Sequence, residues 1–107
     1  MGVLRRIKIG SGGESLSVFW GDIHIHTGFS HCFWLWEREG GELDEMYEFA
    51  RDKARLDFVS LTDHSGDITE DIWRQMQEKA SEYNSPGRFV TFLGYEWSVS
   101  QRGPWRA

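Results

Sequence analysis

Histidine and acidic residues follow three segments that the sequence predicts as β-strands. His24 and His26 lie near the end of the first segment. His64 follows the second segment, and Glu96 follows the third. Side chains two residues apart on a strand point to the same side, with backbones roughly 6.5 to 7 Å apart, so both imidazoles can reach one cation. Imidazole and carboxylate ligands suit zinc, manganese or iron, so these residues predict a site for a divalent transition metal.

Three residues near the predicted ligands are not themselves predicted to bind the metal. Asp22 and Asp63 lie beside the predicted ligands, and we expect them to orient those ligands. Cys32 is the single cysteine, and we interpret it as an inert thiol because the sequence identifies no base for it. A hydrogen-bonded histidine pair and an ordinary Asp-His turn pair are alternative interpretations. The metal prediction therefore depends on the joint placement of the ligands at three strand ends.

The elements that carry these residues alternate between strand and helix. Hydrophobic periodicity predicts a strand over 16–26, a long loop over 27–41, a helix over 43–54, a strand over 56–62, a helix over 72–83 and a strand over 88–95. Thr69 is a candidate N-cap of the second helix. Strands joined by helical crossovers run parallel, so the predicted fold class is α/β. Because the carboxyl ends of parallel strands form the usual ligand-binding edge, the candidate ligands should meet there.

Length and composition limit the classes of function. The 107 residues correspond to one domain, and the 39% hydrophobic and 15% aromatic content excludes a disordered chain. Residues 1–15 are predicted as a flexible lead-in with a candidate strand over 3–9, and residues 16–107 as the domain. The net charge of -5 argues against nucleic acid as a partner.

Cysteine usage and hydropathy predict the compartment. A single cysteine excludes an intramolecular disulfide. No segment approaches the roughly 20 apolar residues of a membrane-spanning helix. Glycines, rather than an apolar run, follow the basic residues near the N-terminus, which is not typical of a signal peptide. We therefore expect a cytoplasmic protein without a membrane partner.

Four motifs in order resemble the PHP superfamily, named for polymerase and histidinol phosphatase. They are Gly-Asp-Ile-His-Ile-His-Thr over 21–27, Phe-Ser-His over 29–31, Leu-Asp-Phe-Val-Ser-Leu-Thr-Asp-His over 56–64, and Gly-Tyr-Glu-Trp over 94–97. The last motif is similar to a large bacterial branch of that superfamily classed as a domain of unknown function. The resemblance implies the N-terminal βαβαβ portion of a TIM-like (β/α)7 barrel, with parallel strands and an incomplete barrel.

The resemblance also implies a metal-dependent hydrolase, in this case a phosphoesterase. By position, His24 and His26 would hold one metal, Glu96 would bridge two, and His64 would hold a further ion. His31 falls where many family members place a ligand. A complete domain of this kind holds up to three ions, commonly zinc, manganese or iron. Metal-bound hydroxide would attack the phosphorus of a small-molecule phosphate ester, so no protein nucleophile is required.

The sequence differs from the family mainly because it covers only part of the length of a complete barrel. Arg55 replaces a glycine that often precedes Leu-Asp-Phe, and no histidine follows His64, although the later family ligands include several histidines. A closed barrel needs on the order of 250 residues, so we expect the chain alone to be inactive and to need the remainder of the barrel or a partner chain. Two alternatives stay open: a non-catalytic structural or metal-binding PHP fragment, and an amidohydrolase-like hydrolase, whose first strand also carries paired histidines.

Overall fold

The computed structural model describes residues 5–9, 14–35 and 40–99 of the chain. Its elements are, in chain order, β1 (Arg5–Ile9), β2 (Glu14–Val18), β3 (Gly21–Ile25), α1 (His31–Leu35), α2 (Leu43–Glu48) continued by a π-helical turn (Phe49–Lys53), β4 (Phe58–Leu61), a 3-10 turn (Ser65–Asp67), α3 (Glu70–Tyr83) and β5 (Val90–Leu93). The domain boundary predicted after residue 15 stays a prediction. Residues 3 and 4 of the candidate strand over 3–9 lie outside the described part of the chain, and residues 5–9 form β1.

A parallel three-stranded sheet organises the second part of the chain. The strand order is β3-β4-β5, and both pairs are parallel. This arrangement confirms the predicted mixed α/β class and the parallel direction of the strands. Among the described residues the sheet is open, because β3 and β5 form its two edges.

Helices cover one face of this sheet. Alternate residues of the central strand β4, Val59 and Leu61, are almost completely buried because α2 and α3 pack on their side of the pleat. The core consists of Leu43, Tyr47, Ala50, Val59, Leu61, Met76, Ala80 and Phe89. This packing holds β4 in place, and the turn that follows β4 carries part of the candidate site.

The predicted strand over 16–26 is wrong as a single element. Residues 14–18 pair with β1 in an antiparallel hairpin, whereas residues 21–25 pair with β4 in the parallel sheet. The chain changes partner at Trp20, whose carbonyl oxygen accepts a hydrogen bond from the Asp57 backbone N–H at 2.6 Å. The Trp20 backbone N–H in turn donates to Asp57 Oδ2 at 2.8 Å. Side-chain alternation continues through this change, and for that reason the sequence pattern does not reveal it.

The predicted loop over 27–41 contains a short helix, α1, at His31–Leu35. This is a second correction, although residues 36–39 lie outside the described part. Phe33 is the buried residue of α1 and packs close to Gly41. The first residues of α1 include His31 and Cys32, so the helix determines where their side chains stand.

The two longer predicted helices are confirmed. The first is α2 with its π-helical turn, which ends at Lys53. Arg55, two residues later, has a φ of 54° in the left-handed region. The second is α3, where the Thr69 side chain accepts a hydrogen bond from the Ile72 backbone N–H, as predicted for the N-cap. No helix within the described residues is long and apolar enough to cross a membrane.

Candidate metal centre

Three imidazoles surround one oxygen of Glu96. The Oε2 atom lies 2.5 Å from His26 Nε2, 3.2 Å from His64 Nδ1 and 3.4 Å from His24 Nε2. The ring centroids of His26 and His64 are 4.4 Å apart, and those of His24 and His26 are 5.1 Å apart. The structure therefore brings together four of the five residues predicted as ligands.

Each of these four side chains lies at the carboxyl end of a parallel strand. His24 lies in β3 and His26 directly follows it, while His64 and Glu96 follow β4 and β5 and form a parallel bridge with one another. The Glu96 backbone N–H donates to the Asp63 carbonyl at 2.9 Å, and the Ser65 N–H donates to the Glu96 carbonyl at 2.8 Å. The two post-strand segments are thus tied together by main-chain bonds, which fixes the distance between His64 and Glu96.

Asp22 shapes the end of β3. The register between β3 and β4 shifts between Asp22 and Ile25, where β3 has one more residue than its partner. Asp22 Oδ1 accepts a hydrogen bond from the His24 backbone N–H at 2.9 Å. A bulge of this kind redirects side chains and is common beside active sites. Asp22 therefore supports the backbone of His24, one of the predicted ligands.

Asp63 is a fully buried acceptor at the other side of the centre. Its carboxylate accepts hydrogen bonds from Thr27 N (2.6 Å), Thr27 Oγ1 (2.8 Å) and Ser30 Oγ (2.6 Å). Thr27 and Ser30 are also fully buried. The carboxylate therefore links the segment after β3 to the end of β4. It bonds to Thr27 and Ser30, and not to the imidazoles.

His31 stands next to the cluster and is oriented by Asp67. Asp67 Oδ2 lies 2.6 Å from His31 Nδ1 and accepts the His31 backbone N–H at 2.9 Å. Burial raises the pKa of Asp67, but these two hydrogen bonds, together with the nearby His31 and His64, outweigh burial and lower the pKa. The His31 ring is 5.1 Å from that of His64. A carboxylate that accepts from one ring nitrogen is the usual partner of a metal-bound histidine.

Cys32 contacts the centre through His26. Its Sγ lies 3.0 Å from His26 Nδ1, on the opposite side of the ring from Glu96. Burial and the nearby carboxylates of Asp63, Asp67 and Glu96 raise the pKa of the Cys32 thiol. The raised pKa favours the neutral thiol form of Cys32 at neutral pH.

The electrostatics of Glu96 and His64 suit a bound cation. Partial burial opposes ionisation of Glu96, but hydrogen bonds from His26 and His24 and the charge of His64 hold its pKa below the ordinary value. His64 Nδ1 is buried and has no hydrogen-bond partner among the described residues. Its 3.2 Å distance to Glu96 lacks hydrogen-bond alignment. A buried nitrogen without a partner calls for an explanation, and a cation between these side chains would supply one.

Two overlapping groups of side chains within the described residues are close enough together to hold a metal ion. One is His24, His26 and Glu96, and the other is His26, Cys32 and His64, with the ligand atoms of each group within 4.8 Å of one another. An open cleft of about 410 Å³ borders His24, His26 and Cys32. The His24 side chain is 65% exposed, so a small molecule in the cleft can reach the centre.

Sequence reasoning missed two residues of this neighbourhood. Asp67 contacts His31 across 36 positions of sequence, and Cys32 contacts His26 through a helix that was predicted as loop. Asp67 did carry a signal, because it belongs to the polar segment after β4. The signal for Cys32 was its position beside His31 in the segment where the resemblance places a ligand.

Residues 44–104, more than half of the chain, match the protein family described as "Protein of unknown function (DUF3604)". Searches of curated proteins and of solved structures found no match. The matched segment includes β4, α3 and β5, together with two residues of the centre, His64 and Glu96. The chain therefore belongs to the DUF3604 family of proteins of unknown function.

Proposed function

We propose that this chain is part of a metal-dependent hydrolase of the PHP type that cleaves phosphate esters. The observation that carries the proposal is the convergence of three imidazoles on one oxygen of Glu96. Mixed imidazole and carboxylate donors favour zinc, manganese or iron over magnesium or calcium. We also propose that the chain forms part of an incomplete barrel and that the substrate is a small-molecule phosphate ester.

The ligand residues have separate tasks in this proposal. His24, His26 and Glu96 hold one cation, and His64 and His31 extend the centre towards the 3-10 turn. A divalent transition metal at this position would lower the pKa of a bound water towards about 7 and neutralise charge on a phosphoryl oxygen. Asp67 keeps the His31 ring in one orientation, and Asp63 keeps the segment after β3 against the end of β4.

Substrate access is possible on the side of His24. That imidazole is 65% exposed, whereas the side chains of His26 and His64 are 21% and 20% exposed. A phosphate ester entering the cleft would therefore meet His24 first, with the other ligands behind it. The net charge of -5 does not favour a polyanion, so we propose a small substrate with few phosphates.

The test is hydrolysis of p-nitrophenyl phosphate and a panel of phosphomonoesters by the intact protein with added zinc, manganese or iron. Glu96→Gln preserves side-chain size but removes the ligand charge, and we expect turnover to fall at least about a hundredfold, the scale of losing a charge-stabilising group. Glu78→Gln on the exposed side of α3 is the matched control and should keep full activity. Turnover that is equal in both variants would refute the proposal.

A second candidate is a non-catalytic metal-binding module. It is favoured by the sheet, which among the described residues has three strands and helices packed on one face. This candidate predicts stoichiometric metal that depends on Glu96, together with no turnover of any ester in the panel. Metal-dependent turnover that Glu96→Gln abolishes would exclude it.

A further inference from the structure

His26 belongs to two donor groups of different chemical character. On one side its Nε2 faces the Glu96 carboxylate at 2.5 Å, and on the other its Nδ1 faces the Cys32 sulfur at 3.0 Å. His24 completes the first group, which we name the carboxylate set. His64 completes the second group, which we name the thiol set.

The two sets differ in the metals they favour. Cysteine sulfur and histidine nitrogen are both zinc ligands, and a site with three protein ligands leaves a fourth position open. A carboxylate with two imidazoles also accepts harder ions such as manganese. Because both sets need His26, one ion in either set commits the shared ring to that side.

The thiol set has a feature beyond the cysteine itself. The His64 ring lies 4.4 Å from that of His26, and the ligand atoms of Cys32, His26 and His64 lie within 4.8 Å of one another. The backbone places Cys32 through α1, whose first residue His31 is tied to Asp67. The sulfur is therefore held at the ring of His26 by an anchored helix.

We propose that the centre sorts metals by type: zinc binds through Cys32, His26 and His64, whereas manganese binds through Glu96, His26 and His24. This inference rests on the proposed function, because it assumes that the centre holds a metal at all. Zinc binding in the thiol set releases the Cys32 proton to solvent and forms a sulfur–zinc bond, as for other cysteine ligands.

The test compares two variants of the intact protein, Cys32→Ser and Glu96→Gln, by competition titration with zinc and with manganese. We expect Cys32→Ser to weaken zinc binding at least about tenfold, the lower end of losses seen around metal sites, with manganese binding unchanged. We expect Glu96→Gln to weaken manganese binding by a similar factor and to affect zinc less. Glu78→Gln is the control, and thermal unfolding of the metal-free variants checks that each is folded.

Cobalt provides a readout that does not depend on activity. Cobalt bound through Cys32 should give a sulfur-to-metal charge-transfer band in the near ultraviolet that Cys32→Ser removes. Since Cys32 is the single cysteine, its protection from a thiol reagent by zinc, and release by a chelator, report on this sulfur alone.

The outcomes separate this inference from the proposed function. Metal binding that depends on Glu96, with no charge-transfer band and with equal zinc affinity in Cys32→Ser, would overturn the sorting of metals and leave the proposed function standing. Absence of binding for zinc, manganese and cobalt in the folded protein would overturn both.

Discussion

At the scale of single residues, the centre divides into side chains that converge on Glu96 and side chains that hold them in place. His24, His26, His64 and Glu96 converge, as the sequence predicts, because each follows or ends a parallel strand. Asp63 belongs to the second kind, because the Asp63 carboxylate is fully buried and accepts three hydrogen bonds. Its role could not be read from the sequence, since the partners lie more than 30 positions away.

Removing the buried carboxylate of Asp63 should destabilise the fold. Asp63→Ala leaves the Thr27 N–H, the Thr27 hydroxyl and the Ser30 hydroxyl without their acceptor in a buried place. We expect the free energy of unfolding to fall by about 3 kcal/mol, measured by urea denaturation. Asp52→Ala is the control, because Asp52 is exposed and pairs with the adjacent Arg51. Equal stability of the two variants would show that Asp63 is not a structural link.

At the scale of elements, sequence patterns found the helices and the parallel strands but not the points where backbone partners change. β2 and β3 continue one alternating pattern, yet they pair with different strands. The sequence pattern also did not predict the bulge after Asp22 or helix α1, because both depend on bonds to residues distant in sequence. Periodicity reports which face is apolar and carries no information about the hydrogen-bond partner.

The end of the first long helix offers a test of backbone conformation. Arg55 is exposed with a φ of 54°, and the Leu56 N–H donates to the Ala50 carbonyl in the helix-terminating turn. A side chain in the left-handed region costs roughly 1–2 kcal/mol, which glycine avoids at some entropic expense. We expect Arg55→Gly to raise the free energy of unfolding by about 0.5–1 kcal/mol, measured by urea denaturation. Arg55→Ala should bring no such gain, and stabilisation by alanine equal to that by glycine would contradict this explanation.

The contact between α2 and α3 should depend on pH. Hydrogen bonds from Lys79 and Tyr83 to Asp44, at 2.8 and 2.9 Å, lower the pKa of Asp44. A carboxyl whose pKa is lower in the folded state stabilises the fold above its unfolded pKa and loses that effect as pH falls through the folded pKa. Asp44 is 46% exposed, so we expect Asp44→Asn to reduce the free energy of unfolding by only about 0.5 kcal/mol at neutral pH.

Urea denaturation across a pH series measures this difference. It should shrink as pH falls below the unfolded pKa of Asp44 and vanish at a pH below its lowered folded pKa. A difference that stays constant down to that pH would exclude the charge as its cause.

At the scale of the whole molecule, the sheet has helices on one face and large apolar side chains exposed elsewhere. Phe92 shares a face with Ser60, opposite to the core residues of β4, and is 52% exposed. Ile23 and Trp97 are 65% and 74% exposed. Parallel sheets are usually covered on both faces, and exposed apolar patches promote association. This surface is consistent with the predicted need for further strands or a partner chain, which stays a prediction.

We therefore expect the 107 residues on their own to self-associate as concentration rises. Ile23→Lys places a charge on the exposed apolar surface and should shift the mass distribution towards monomer in sedimentation velocity experiments. Gln77→Lys introduces the same charge on the exposed side of α3 and should leave association unchanged. A monomer at all concentrations, or equal effects of the two lysines, would argue against the apolar surface as the cause.

We propose that the paired histidines and Glu96 hold a divalent transition metal, and metal analysis of the gently purified protein by mass spectrometry tests this proposal without relying on activity. The protein is compared with His24→Ala/His26→Ala, and with Gln77→Ala/Glu78→Ala on the exposed side of α3 as the control. We expect near-stoichiometric zinc, manganese or iron in the protein and in the control variant, and loss of this metal from the histidine variant. A folded protein without metal, or a histidine variant that keeps its metal, would refute the proposed metal centre.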